Sequence, residues 1–332
     1  MLQSVFKQSR PVHFVFSAAL LLSCMTSERA SANDSTALLE AGGIRLTENY
    51  SISLDVEDLY ISADQIRIHY EFVNTADYDI KTLVAFPVPE IDSFPDAQYS
   101  VQSDDPINFL NFSVTANGVA IKPEIEIKLT VNGVDFTDDI LASGLPLSRF
   151  SPDYYDRLEK MPEANRRILA DKGLIDWEPG VDFYGTNWKM QTIYHWWQTF
   201  PAKSRTIIDH AYQPVVGSSF YSTEYEDPAQ LERFCPDDGF IQSMRNKIIQ
   251  SGNTYAEVDE LKYILQTANN WMGPIGDFRL VIDKGAPGDL VSLCINDIRK
   301  IAPTEFEFRA KDFVPDQDLD ILFFKQPESQ GE

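Results

Sequence analysis

Histidine is scarce, with 4 in 332 residues, and so is cysteine, with 3. Beyond the first 32 residues only His69, His195 and His210 remain, and no pair has H-E-x-x-H or other metal-ligand spacing. Basic residues are few: 28 Lys plus Arg stand against 51 Asp plus Glu, a net charge of -23. A nucleic-acid binder needs a basic face, so that class is excluded, and attraction to anionic lipid is disfavoured for the same reason. Neither G-x-G-x-x-G nor a Walker lysine occurs, so no phosphate cradle is expected. Val-Val-Gly-Ser218-Ser219 is not the G-x-S-x-G nucleophile elbow. No apolar run after the first 32 residues approaches the ~18 that a spanning helix requires. The expectation is therefore no catalytic residues, no cofactor, no metal and no membrane span.

What is present begins with an address. Met1–Arg10 carries Lys7 and Arg10 and no acid, and Val12–Met25 is almost wholly apolar. Ala30-Ser31-Ala32 then supplies the small residues of a cleavage site, so residues 1–32 read as a signal peptide removed after Ala32. A second processing reading stays open: Leu21-Leu22-Ser23-Cys24 resembles a lipobox, and lipidation at Cys24 would attach the protein to a membrane. On the first reading the protein is periplasmic and keeps two cysteines. Cys235 and Cys294 in an oxidising compartment are expected to form a disulfide.

The 332-residue sequence as a whole has an ordinary globular composition, 43% hydrophobic and 24% charged. After residue 32 its pattern is mainly that of β-strands. In Gln65–Phe72, Ile66, Ile68, Tyr70 and Phe72 share one face, the period of a half-buried strand. Ile80–Phe86 is a second apolar run, which Pro87 and Pro89 are expected to stop. Asn117-Gly118 and Asn132-Gly133 are hairpin signals on either side of the alternating segment Glu124–Val131, which suggests a meander from Phe112 to Phe136. Ser151-Pro152 and Pro162 start helical pieces. Strand patterns return at Gln191–Phe200, Arg205–Tyr212, Asp277–Asp283, Leu290–Cys294, Glu305–Ala310 and Leu319–Phe324, with helices over Pro228–Phe234 and Asp238–Gln250. The expected layout is two β-sandwich-like parts, 33–137 and 189–326, the second with short helices. A helical insertion over 138–188 separates them, and 327–332 forms a disordered tail.

Two constellations could carry chemistry. Asp316-x-Asp318-x-Asp320 resembles the start of a calcium loop, but Ile321 stands where such a loop needs glycine, and a strand with an acidic entrance fits better. Trp177, Trp188, Trp196 and Trp197 crowd into 21 residues with Phe183, Tyr184, Tyr194 and Phe200. Adjacent Trp196 and Trp197 on a strand must face opposite ways, so one should enter the core while the other packs at an interface or meets a ligand. His69 is expected on the polar face of its strand, and His210 likewise.

Two sets of residues together resemble a known family. One comprises Asn33-Asp34-Ser35-Thr36-Ala37, Ala41-Gly42-Gly43, Glu57-Asp58-Leu59-Tyr60-Ile61-Ser62 and Val84-Ala85-Phe86-Pro87. The other comprises Gln198-Thr199-Phe200-Pro201-Ala202, His210-Ala211-Tyr212-Gln213-Pro214, Asn270-Trp271-Met272-Gly273-Pro274-Ile275-Gly276 and Asp318-Leu319-Asp320. Their order resembles a family of exported Gram-negative bacterial proteins known only as a domain of unknown function. The resemblance implies a β-rich periplasmic or envelope protein and brings no catalytic residues.

The leading functional expectation is a non-enzymatic binding or interaction protein of the envelope, with a protein or glycan partner. One alternative is a carbohydrate-active hydrolase with paired carboxylates beside Trp177–Trp197, which needs two acids about 5–10 Å apart. The other is a lipid-anchored envelope assembly factor, which requires Cys24 to be retained.

Overall fold

The structure, a computed structural model, describes residues 33–40, 43–94, 97–181, 185–223 and 231–327. The expected leader and its Cys24, Phe183 and Tyr184 of the aromatic cluster, Pro228–Gln230 of one expected helix, and residues 328–332 lie outside them.

Strands dominate, and the described ones form three large sheets and a two-stranded ribbon. The largest sheet has eight strands. At its centre lie β3 (Ile52–Ile61), β4 (Ile66–Asn74) and β14 (Arg205–Tyr212). β17 (Ile275–Asp283), β20 (Glu305–Phe313) and β19 (Arg299–Lys300) extend it one way, and β7 (Ser113–Ala116) and β8 (Val119–Ile121) the other. A six-stranded sheet has the order β10 (Val134–Asp135), β9 (Glu124–Val131), β13 (Lys189–Phe200), β5 (Ile80–Asp92), β1 (Ser35–Glu40), β2 (Gly43–Thr47). The five-stranded sheet runs β18 (Leu290–Leu293), β21 (Leu319–Phe324), β16 (Tyr255–Tyr263), β15 (Val216–Ser222), β6 (Tyr99–Ser100).

The eight- and six-stranded sheets both mix strands from either side of 138–188. β3 pairs with β17 in parallel, and β5 pairs with β13 along nearly its whole length. One hydrophobic cluster runs through both sheets, with Phe86 of β5 and Trp196 of β13 5.2 and 5.5 Å from the His210 ring of β14. The sheets therefore do not divide into separate parts at 33–137 and 189–326. Alternating patterns locate strands, but pairing is decided by which faces can be buried together. The intervening segment does hold short helices, α1 (Thr137–Ala142), α2 (Tyr154–Glu159) and α3 (Glu163–Asp171), followed by the ribbon of β11 (Ile175–Asp176) and β12 (Gly185–Thr186).

Two local expectations are corrected. β5 does not stop at Pro87 but runs through it and Pro89 to Asp92. The two prolines are two apart, so their missing donors lie on the same side of the strand, and β1 covers β5 only as far as Ala85. A strand with one open edge tolerates proline. The Phe112–Phe136 region is not a meander but two hairpins in different sheets. Asn117-Gly118 joins β7 to β8 in the eight-stranded sheet, and Asn132-Gly133 joins β9 to β10 in the six-stranded one. All four turn residues have positive φ, between 48° and 78°, as a type I′ turn requires. Lys122-Pro123 separates the hairpins and lets the chain change sheets.

The five-stranded sheet is buried on both faces. Leu261, Tyr263, Ile321 and Phe323 join the main core, while Val258, Leu322 and Phe324 belong to a second cluster with Met244 and Ile248. The last two lie on α4 (Asp238–Gln250), whose N-cap Asp237 accepts from the Phe240 N–H at 2.6 Å. No helix among the described residues is long and apolar enough to cross a membrane.

Candidate functional site

The three large sheets meet around a cleft of about 210 Å³. Its floor is apolar, with Ile66 of β4, Val88 and Ile91 of β5 and Tyr212 of β14. Its rim is charged: Glu90, Arg233, Glu260, Lys262 and Asp320 come from β5, the 3₁₀ turn Glu232–Phe234, β16 and β21. Lys262 and Asp320 are partners in the β16–β21 register. Glu260 is already engaged, accepting from Ser219 Oγ at 2.7 Å and pairing with Arg233. Glu90 accepts from Gln191 Nε2 at 2.5 Å.

A covalent link holds Arg233 at this rim. Cys235 and Cys294 form the expected disulfide, with Cα atoms 5.1 Å apart. Cys235 adopts positive φ at the end of the 3₁₀ turn, and Ser292 Oγ donates to the Phe234 carbonyl at 2.9 Å. Closing a loop of this sequence separation, 59 residues, contributes roughly 4 kcal/mol by chain-entropy reasoning.

A second constellation lies in the middle of the main core. Asn33, Asp34 and Glu57 are wholly buried there, together with Tyr70, Tyr263 and His210. Asn33 Nδ2 donates to both Glu57 carboxylate oxygens at 3.2 and 3.1 Å, and Tyr70 OH donates to Asn33 Oδ1. His210 Nε2 stands 3.5 Å from Asp34 Oδ2. Burial pushes the Asp34 carboxyl up, and Glu57 adds to it; burial also raises Glu57 to about 8 and lowers His210 to about 3. Carboxylates become protonated and imidazole stays neutral because each avoids carrying charge out of water. This group is sealed from solvent and so is no open site for a substrate.

The outer face of the eight-stranded sheet carries a third set. His69 of β4 is 2.7 Å from Asp209 and 3.5 Å from Glu71. Arg279 bridges Asp58 at 3.0 Å and Glu307 at 2.9 Å, and Arg299 and Arg309 also pair with Glu307. These charges satisfy one another across neighbouring strands.

The four tryptophans differ in exposure. Trp188 is wholly buried, Trp196 is 4% exposed and stacks edge-on to His210, and Trp197 is 59% exposed with Lys81 5.6 Å from its ring. Trp177 is partly buried and donates to the Val181 carbonyl at 2.8 Å. His210 is not on a polar face as expected: Thr206, Ile208, His210 and Tyr212 of β14 all point inward. Asp318 accepts from the Leu265 and Gln266 N–H groups at 3.1 and 3.3 Å, and Asp320 lies in β21. No metal-holding group of three acidic, His or Cys residues occurs among the described residues.

Sequence reasoning missed the cleft because its rim is drawn from elements far apart in the chain. It also missed Glu57, although a signal was there. Glu57, Leu59 and Ile61 share a period-2 face, and a bulge at Asp55 puts that face in phase with Ile52 and Leu54. Gly276 of β17 makes room for the bulge, since a Cβ there would lie 2.7 Å from the Asp55 carbonyl oxygen.

The profile of one protein family, Domain of unknown function (DUF4424), matches residues 32–322. The chain belongs to that family. The matched span covers Asn33 through Asp320, and the family's description assigns no activity. No curated protein matches the chain. Among solved structures, one similar to it is a Legionella pneumophila subsp. pneumophila str. Philadelphia 1 protein provisionally described as nutrient binding. It is 13% identical with a TM-score of 0.46, over 89% of this chain and 71% of that one.

Proposed function

We propose that this member of the DUF4424 family is a non-enzymatic binding protein of the bacterial periplasm or envelope. In this reading it takes a small zwitterion with an apolar body, such as an amino acid or dipeptide, in the cleft between the three sheets. The leader-like residues 1–32 and the Cys235–Cys294 disulfide support export to an oxidising compartment. The observation that carries the binding reading is the cleft itself, an apolar floor under a rim of both charge signs. Lys262 and Arg233 would receive a carboxylate, and Glu90 and Asp320 an ammonium group. The glycan reading drew on clustered tryptophans, and Trp188 and Trp196 are spent on the core.

Titration calorimetry with leucine, phenylalanine and their dipeptides tests the proposal, with a neutral oligosaccharide as control. Saturable binding of a zwitterion that Lys262→Gln weakens at least tenfold is the expected result. Binding of the oligosaccharide alone, or zwitterion binding indifferent to Lys262→Gln and Arg233→Gln, would refute it.

A further inference from the structure

Asn33, two residues ahead of β1, is held by hydrogen bonds that the sheet itself does not require. Asn33 N donates to Thr267 Oγ1 at 2.6 Å, and the Asn33 side chain joins Glu57 to Tyr70. Trp271 Nε1 donates to the Asp34 carbonyl at 2.7 Å, and Asn270 Nδ2 to Ser35 Oγ at 2.8 Å. Asn33, Asp34 and Ser35 are all wholly buried. Two carboxyl groups, Asp34 and Glu57, therefore lie in the core at this point, and no lysine or arginine among the described residues pairs with either. Neither Asp34 oxygen has a hydrogen-bond partner there. Without a cation, such buried acids must hold their protons and leave the Asp34 oxygens unpartnered, a cost that a charged partner relieves.

We propose that the partner is the chain's own α-ammonium group, created at Asn33 by cleavage after Ala32 and enclosed between Asp34 and Glu57. The proposal rests on the export reading above and is independent of the cleft. A leader peptidase of the export machinery would add water across the Ala32–Asn33 amide. The C–N bond breaks, hydroxyl goes to the Ala32 carbonyl carbon, and hydrogen goes to the Asn33 nitrogen. That nitrogen then takes a further proton from solvent and becomes a cation. It belongs to the residue whose amide grips Glu57 and is one residue from Asp34, so one charge serves both acids. The Asn33 N–H already directed at Thr267 Oγ1 keeps its acceptor, and the added N–H groups are new donors. The other titratable groups around it are Tyr70 of β4, His210 of β14 and Tyr263 of β16, which are neutral under ordinary conditions. Cleavage thereby completes the core, and a chain still joined to its leader lacks the cation.

The test uses the full chain purified from the envelope fraction. Intact mass fixes its first residue, and amine-directed acetylation followed by peptide mapping reads the reactivity of that residue's α-amine. The expected results are a start at Asn33 and labelling at least tenfold slower in the folded than in the denatured protein. A second chain carries a Gly-Ser insertion between Ala32 and Asn33, so that cleavage leaves the ammonium two residues away. It should melt several degrees lower, and that difference should shrink by at least half when both chains carry Asp34→Asn with Glu57→Gln. Equal labelling of folded and denatured protein would overturn the proposal. So would an insertion without effect, or one whose effect is unchanged in the neutralised background, which would be steric. Recovery of a chain beginning at Cys24, or of unprocessed chain alone, would instead overturn the export reading. Failure of the zwitterion titration bears on neither outcome.

Discussion

His69 and His210 stand on adjacent strands of one sheet, a single register step apart, and point to opposite faces. Partial burial pulls His69 down, but Asp209 and Glu71 outweigh it and the net direction is up. His210 has the Tyr70 and Phe86 rings and the buried Asp34 beside it, and burial lowers it to about 3. Two glutamates make the same contrast. Arg299, Arg279 and Arg309 hold Glu307 of β20 down at about 2, while burial lifts Glu57 of β3 to about 8. Glu307 is shielded by arginine side chains lying over the sheet, and Glu57 is enclosed in the core. Residue type therefore says little about charge here; the face of the strand decides it.

Four comparisons break or sharpen this contrast. The largest effect is expected on β13. Trp196→Ala should cost roughly 3–5 kcal/mol in denaturant unfolding, and Trp197→Ala less than about 0.5 kcal/mol. Equal costs would mean that the two faces are not as different as their burial.

The histidines should give opposite pH responses. A depressed pKa means that the stability linked to His210 is present above its unfolded value of ~6.5 and is lost as pH falls toward 3. The slope is at most about 1.4 kcal/mol per pH unit, and His210→Gln should flatten it. The raised pKa of His69 works the other way: its contribution is present below ~6.5 and is lost as pH rises through the folded value. Because His69 is more than a third exposed, solvent and salt should keep its share under about 1 kcal/mol. Urea titrations across pH on His69→Ala and His210→Gln check both signs.

Gly276→Ala tests the bulge that turns Glu57 inward. A methyl group against the Asp55 carbonyl should cost roughly 1–3 kcal/mol by overpacking. A stable Gly276→Ala protein would show that the bulge yields at little cost.

The smallest effect is expected at Glu307→Gln. Three arginines lose their shared acceptor, yet on an outer face the loss should stay near 1 kcal/mol or below and vanish in about 1 M salt. A large, salt-independent loss would place Glu307 with the interior acids instead.

Much of the strand inventory was legible because strand burial is periodic. Arg205–Tyr212 and Leu319–Phe324 have the bounds their patterns suggest, as does helix Asp238–Gln250 after its Asp237 cap. Pro87 and Pro89 misled, since their effect depends on whether a neighbouring strand needs their donors, and local sequence does not say where β1 ends. His210 misled for a related reason: Thr206, Ile208 and Tyr212 mark its face as inward, but a histidine there reads as polar until its neighbours are known. Of the candidate site, the disulfide partners were legible, and the cleft rim was not.

The sequence by itself determined the β-rich character, the hairpins at Asn117-Gly118 and Asn132-Gly133, and the cysteine pair, because each depends on neighbours in the chain or on a count of thiols. Tertiary structure alone decided that Phe112–Phe136 splits between two sheets and that strands from both ends of the chain share one core. It also brought Glu90, Arg233 and Lys262 to one rim and enclosed Asp34 with Glu57. The physical reason is that a strand's own pattern specifies which face is buried, whereas its partners are chosen by the whole set of faces that must leave water together.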